Sequence, residues 1–191
     1  MLYRSDDNLE KGAISFVEDN NEVTLFSAYL KLDALKKINQ HKSIKQIIVR
    51  WEIEDLYKKI SDLELYDYCL ENNIALYRNT RIHLKAFWNN NKTVLFGSAN
   101  ITGKGIGEKG NFNYELNGVV SDISFGDQSY LKKIILDSEY VTHDLFTQLK
   151  SIISKIEVPV YEFLKLPTPP PTVDYFLINQ LPMSSSVELL Y

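Results

Sequence analysis

Residues 82–100 (IHLKAFWNNNKTVLFGSAN) place four polar side chains at spacings that let them converge. His83 and Lys85 are two positions apart, and so are Ser98 and Asn100. Along an extended chain, residues two apart share a face. Each pair therefore points one way, while Ile82, Leu84, Ala86 and Trp88 point the other, toward a core. Read as two short strands joined by the turn Asn89-Asn90-Asn91, the stretch brings both pairs to one end of a hairpin. The side-chain types share a use. An imidazole can attack or move a proton near neutral pH, and an ammonium, a carboxamide and a hydroxyl can hold anionic oxygens. Such a group suits a phosphate.

The elements that must hold this hairpin read as alternating strands and helices. Ser5, followed by Asp6 and Asp7, reads as a helix start, with Leu9, Ala13 and Val17 recurring at helical spacing. Residues 22–29 (EVTLFSAY) and 45–51 (KQIIVRW) read as strands, with a short helix marked by Leu32, Leu35 and Ile38 between them. Residues 55–72 read as helical with a break near Ser61-Asp62, and 74–77 as a short strand. After the hairpin come a strand over 114–120 and helices over 128–136 and 138–155. The alternation predicts a layered α/β domain. No internal repeat is visible, and HxK occurs once.

The polar residues spell HxKxxxxNxxxxxxGSxN, which resembles the phospholipase D superfamily signature HxKxxxxDxxxxxxGSxN with the same gaps. His83, Lys85, Gly97, Ser98 and Asn100 match, and Asn90 stands where the family usually has Asp. That change bears on turn geometry more than on chemistry. Residues 113–116 (NYEL) resemble the strand that carries the family's acid, which makes Glu115 the candidate. Val49-Arg50-Trp51, Asp55-Leu56 and the run SDLE at 61–64 resemble the N-terminal halves of phospholipase D-like nucleases. Those include metal-independent restriction endonucleases, whose catalytic domain precedes a separate DNA-reading domain.

The resemblance implies a phospholipase D-like mixed β-sheet flanked by helices on both faces. It also implies phosphodiester cleavage without metal or other cofactor. In that chemistry one histidine attacks phosphorus to give a phosphohistidine, and a second protonates the leaving group and then activates water. Lys85 and Asn100 would hold the phosphoryl oxygens, Ser98 would add a hydrogen bond, and Glu115 would bind the other imidazole nitrogen and fix its tautomer. Self-sufficient members carry two copies of the motif in one chain. A chain with one implies a homodimer whose two-fold axis passes between two copies of His83.

Charge supports a polyanionic substrate by its distribution rather than its sum. The 191-residue chain has a net charge of −4, yet residues 76–110 hold six basic residues against the single acid Glu108. That segment is +5 and the remainder −9. Arg78, Arg81, Lys104 and Lys109 are the candidates for contact with DNA phosphates, the last two on a glycine-rich rim loop over 103–110. The stretch GSANITGKG does not have phosphate-loop spacing, and 103–107 lacks a dinucleotide fingerprint. One cysteine and three scattered histidines offer no zinc spacing, so no metal is expected. His41 and His143 read as surface or structural.

No run approaches the roughly 18 apolar residues of a membrane span. The N-terminus lacks the order of a secretory signal, and Cys69 reads as a small buried residue, so a cytoplasmic location is expected. All six prolines lie at or beyond Pro159. The expected division is a catalytic domain over 1–158 and a Pro-rich linker with an apolar tail over 159–191. The leading functional reading is a DNA nuclease. Its rivals are a phospholipid-directed hydrolase or transferase and a catalytically idle binding domain of the same fold.

Overall fold

The computed structural model describes residues 1–5, 7–107 and 112–156. Residues 1–156 form one compact unit. The proline-rich segment and the expected boundary at 158 lie outside the described residues.

Two strands, β2 (Val23–Ser27) and β3 (Ile44–Val49), run parallel through the middle of the sheet. Every residue of β2 is buried. A strand covered on both faces reads as an apolar run, as β2 does at its centre, LF, and β3 over its second half, IIV, where it is buried. The parallel strand β4 (Ala75–Arg78) flanks β3, and the two-residue β8 (Glu139–Tyr140) closes that edge. On the other side lie the hairpin strands β5 (Lys85–Trp88) and β6 (Val94–Gly97), then β7 (Leu116–Val120) and β1 (Leu2–Arg4), all antiparallel. Among the described residues the sheet has eight strands in the order β1-β7-β6-β5-β2-β3-β4-β8.

Helices pack on both faces, as the resemblance implied. One face is covered by α1 (Leu9–Glu18), α2 (Leu32–Ile38), α3 (Ile53–Tyr57), α4 (Leu65–Glu71) and α7 (His143–Ser154), through Val17, Leu35, Leu56, Leu65 and Leu149. The opposite face is covered by α6 (Phe125–Leu136), whose Leu131 meets Phe26, Ile48, Ala86 and Trp88. This cover stops short of the outer strands, where Leu2, Phe96, Leu116 and Val120 are 44–64% exposed on that same face. Among the described residues no helix is long and apolar enough to cross a membrane.

Several local expectations need correction. Ser5 does not start a helix; α1 begins at Leu9, and Ser5 is buried in a tertiary contact described below. The helix expected from 138 begins at His143, where Thr142 accepts a hydrogen bond from the Leu145 amide, because Glu139 and Tyr140 pair with Arg78 and Tyr77. The helix expected from 128 begins at Phe125 behind a capping box of Ser124 and Asp127. The break expected in 55–72 separates α3 from α4. There Ser61 Oγ accepts from the Leu30 amide at 3.1 Å and Asp62 from the Leu32 amide at 2.8 Å, so the break anchors the loop after β2.

The hairpin turn explains Asn90. Its backbone is left-handed, φ 57°, a conformation asparagine adopts more readily than most residues. Its Oδ1 accepts from Thr24 at 2.7 Å, while Asn89 Oδ1 accepts from the amides of Asn91 and Thr93. Gly97 ends β6 under a different constraint. A Cβ there would lie 2.3 Å from the Leu116 carbonyl oxygen and from Asn117 Oδ1. Gly97→Ala must therefore push β6 from β7. It is expected to destabilise the domain by about 1–3 kcal/mol, as read by denaturant unfolding.

Candidate active site

The site lies along one end of the sheet, where β2, β3, β4 and β6 finish and β5 and β7 begin. In a sheet with a parallel centre, this carboxyl end is where connecting loops leave a crevice. Lys85 opens β5 opposite Ser27, the last residue of β2. Lys85 is 9% exposed, and Nζ donates to the His83 carbonyl at 2.9 Å. Nζ also lies 3.0 Å from His83 Nδ1 and 3.3 Å from Nε2. His83 itself is exposed. Burial pushes the Lys85 amine below the usual lysine range; the charge of Glu115 opposes this and that of Arg50 adds to it. Two charged groups from distant parts of the chain, Glu115 and Arg50, thus act on one amine.

Ser98 and Glu115 meet directly across the start of β7. The Ser98 hydroxyl donates to one Glu115 carboxylate oxygen and accepts from the Leu116 amide at 3.1 Å. The other Glu115 oxygen accepts from Asn113 Nδ2 at 3.3 Å. Behind them, buried Ser5 accepts from the Glu115 amide at 3.0 Å and donates to the Asn113 carbonyl at 2.6 Å. Within one chain the carboxylate is therefore engaged by Ser98 and Asn113, not by the His83 imidazole.

Asn100 is oriented by the backbone. Its Oδ1 accepts from the Tyr29 amide at 3.2 Å, so its NH2 group keeps two donors for a ligand. The loop that carries it is tied down by buried polar side chains. Ser27 Oγ donates to the Tyr29 carbonyl at 2.6 Å and accepts from the Ile101 amide at 3.3 Å. Asn117 Oδ1 accepts from the Ala99 amide at 3.2 Å.

A second constellation stands beside these residues. Asp55, 2% exposed, holds Arg50 through Nε at 2.7 Å and a terminal nitrogen at 2.5 Å. The same terminal nitrogen donates to the Tyr29 hydroxyl at 3.0 Å. Asp55, by its hydrogen bonds and charge, pushes the guanidinium pKa above its ordinary value. In the sequence Arg50 and Asp55 stand out only as family-like residues, and Tyr29 only as the end of a strand. The available signal was a charged residue directly after an apolar strand, IIVR, at the end where crevices form.

The candidate phosphate-contact residues have different surroundings. Arg78 donates to the Trp51 carbonyl at 2.9 Å and pairs with Glu139 at 3.4 Å. Arg81 is exposed, lies 3.8 Å from Asp137, and lines a cleft of about 580 Å³ with His83, Tyr130 and Lys133. Lys104, on the short helix α5 (Gly103–Ile106), lines another cleft of about 710 Å³ with Tyr29, Asn100 and Glu115. Lys109 lies outside the described residues. His41 pairs with Glu18, and His143 lies among the rings of Tyr66 and Phe146. Among the described residues no three His, Cys, Asp or Glu side chains gather as metal ligands would.

No protein-family model and no curated protein matches the sequence. Among solved structures the chain is similar to Nuc, a phospholipase D family member from Salmonella typhimurium. The identity is 16%, over 74% of this chain and 96% of that one, with a TM-score of 0.59. NucT from Helicobacter pylori is similar at 19% identity over 74% and 98% of the two chains, with a TM-score of 0.55. Phosphatidylserine synthase from Haemophilus influenzae Rd KW20 matches at 13% identity and a TM-score of 0.57, over 80% of this chain and 42% of its own. What they share with this chain is the fold.

Lys85 yields a test of the site's electrostatics. A lysine whose folded pKa is lowered binds its proton more weakly folded than unfolded. Between that lowered value and the ordinary lysine value, stability from this group rises with pH. Lys85→Met removes the buried charge. At neutral pH its melting temperature should equal or exceed that of the wild type, and the comparison should shift in favour of the wild type as pH approaches 10. A Lys85→Met protein markedly less stable at neutral pH would mean that the ammonium is a structural tie.

Proposed function

On the fold of the phospholipase D superfamily, which this chain has, we propose that residues 1–158 form a metal-independent phosphodiesterase domain that cleaves DNA. The observation that carries the reading is the gathering of His83, Lys85, Ser98, Asn100 and Glu115 at one end of the sheet, at the spacing of the family signature. The positive charge of residues 76–110 supports a nucleic-acid substrate over a neutral one. In this reading Arg78, Arg81, Lys104 and Lys109 follow the phosphate backbone.

The chemistry follows from the groups present. An incoming phosphodiester draws the Lys85 ammonium from the His83 ring to its non-bridging oxygens, and the Asn100 NH2 group joins it. The freed imidazole attacks phosphorus, a nitrogen–phosphorus bond forms, and the bond to the leaving oxygen breaks. A second imidazole gives its proton to that oxygen. It then takes a proton from water, which attacks phosphorus and returns the bonding pair to the first histidine. A chain with one HxK supplies one such imidazole, so the second comes from the His83 of a second copy related by a two-fold axis. Glu115 leaves Ser98 to hold the imidazole that faces it and fix its tautomer.

A lipid-directed reading would use the uncovered strip of Leu2, Phe96, Leu116 and Val120 against a bilayer. The basic clefts beside His83 and Asn100 favour the polyanion. The test is supercoiled plasmid in excess chelator, with phosphatidylcholine vesicles as the alternative substrate. The wild type should nick plasmid and leave the lipid intact. His83→Ala should remain folded and lose at least about 10²–10⁴-fold, the scale of proton transfer alone. Activity that needs a divalent cation, or that survives in His83→Ala, would overturn the reading.

A further inference from the structure

The 710 Å³ cleft reaches beyond the signature residues. Asn100 and Glu115 form part of its lining, and the rest includes Tyr29, Lys31, Lys59 and Lys104. Lys31 is paired with Asp62 and donates to the Lys59 carbonyl, so it serves the turn rather than a ligand. Lys59 and Lys104 are exposed and come from two different elements, the turn after α3 and the helix α5. Two cations on the lining of one cleft that also includes Asn100 suit an anion next to the one that Lys85 would hold.

Tyr29 makes the cleft more than a charged surface. Its hydroxyl oxygen accepts from Arg50 at 3.0 Å, and the guanidinium carbon lies 4.7 Å from its ring centre. Arg50 is locked by two bonds to a carboxylate that is itself 2% exposed. A buried ion pair is a costly way to fix a half-buried tyrosine if the ring only fills space. Among the described residues the phenol proton has no acceptor. A phenol that accepts from a guanidinium becomes a stronger donor. The backbone of the same residue holds Asn100, so the spacing between the phenol and the Asn100 NH2 group is fixed by one short loop.

We propose that this cleft is a subsite for the phosphodiester adjacent to the one cleaved, with the Tyr29 hydroxyl donating to its oxygen and Lys59 and Lys104 flanking it. The ligand is a nucleic-acid strand, and the proposal rests on the nuclease reading above. The Arg50–Asp55 pair is the strut that aims Tyr29, and acts through it.

Two measurements test the subsite. The first compares cleavage of a single-stranded oligonucleotide with cleavage of bis(p-nitrophenyl) phosphate, which has one phosphate and no neighbour. Tyr29→Phe should lose roughly tenfold more on the oligonucleotide than on the small diester, the scale of one hydrogen bond to a charged group. The second measures binding of a fluorescein-labelled oligonucleotide by anisotropy, with His83→Ala as parent so that turnover plays no part. Adding Lys59→Ala and Lys104→Ala should weaken binding and reduce the salt slope by about 0.7 per lysine, the single-strand value. These two side chains are exposed, so their removal tests the subsite even if Tyr29→Phe fails to fold. Equal losses on the two substrates, or an unchanged affinity and salt slope, would overturn the proposal. If the wild type cleaves neither substrate, the nuclease reading fails and the subsite falls with it; if it cleaves both, a negative result in the substrate comparison or the salt slope overturns the subsite alone.

Discussion

A lysine that is only 9% exposed, Lys85 at the mouth of a β-sheet, is the constraint around which this structure is arranged. Desolvating a charge is expensive unless other groups compensate. Here the compensation is partial: burial, the largest effect, and Arg50 both lower the Lys85 pKa, and only Glu115 opposes them. Asp55 neutralises Arg50 from the other side and keeps a second bare cation from meeting the first. The remaining deficit is what an incoming anion would fill. In the proposed function, the electrostatic cost in the unliganded protein and the attraction for a phosphate would have the same origin.

Holding that arrangement requires loops to behave as rigid elements. Ser27, Asn117 and Ser5 are each buried, and each bonds the backbone of a segment distant in sequence. Together they fix the loop carrying Ser98 and Asn100 against the ends of β2 and β7. A buried polar side chain of this kind costs little when its bonds are made and much when they are not, so the loops have few alternative positions. Trp51 adds a strained point on the same rim. It is fully buried with a left-handed backbone, φ 46°, and turns the chain directly after Arg50. Strain of that size, roughly 1–3 kcal/mol, is carried where Arg50 must turn to Asp55.

The candidate site residues that the fold brings to one end of the sheet were legible in the sequence because chemistry restricts their types and the hairpin restricts their spacing. Asn90 was legible as a turn residue for the same local reason, and its left-handed backbone agrees. The supporting groups were not legible. Ser5 looked like a helix cap because Asp6 and Asp7 follow it, yet its partners Asn113 and Glu115 lie more than a hundred residues away. Tyr29 and Asn100 meet across 71 positions, and nothing in either local pattern shows it. Glu139 and Tyr140 continue an apparently helical pattern, and only the open edge of β4 makes them a strand. Local pattern shows most of the elements and the candidate side chains, while long-range hydrogen bonds decide how firmly they are held.

In the proposed mechanism two protomers share one site, with a His83 from each in opposite roles. Its most direct measurement mixes wild-type subunits with His83→Ala subunits, allows exchange, and isolates the mixed dimer by a tag on one partner. The account predicts a mixed dimer that binds DNA but has lost steady-state cleavage, because one of the two imidazoles is missing. A mixed dimer with half the wild-type activity, or a wild-type protein fully active as a monomer, would contradict it.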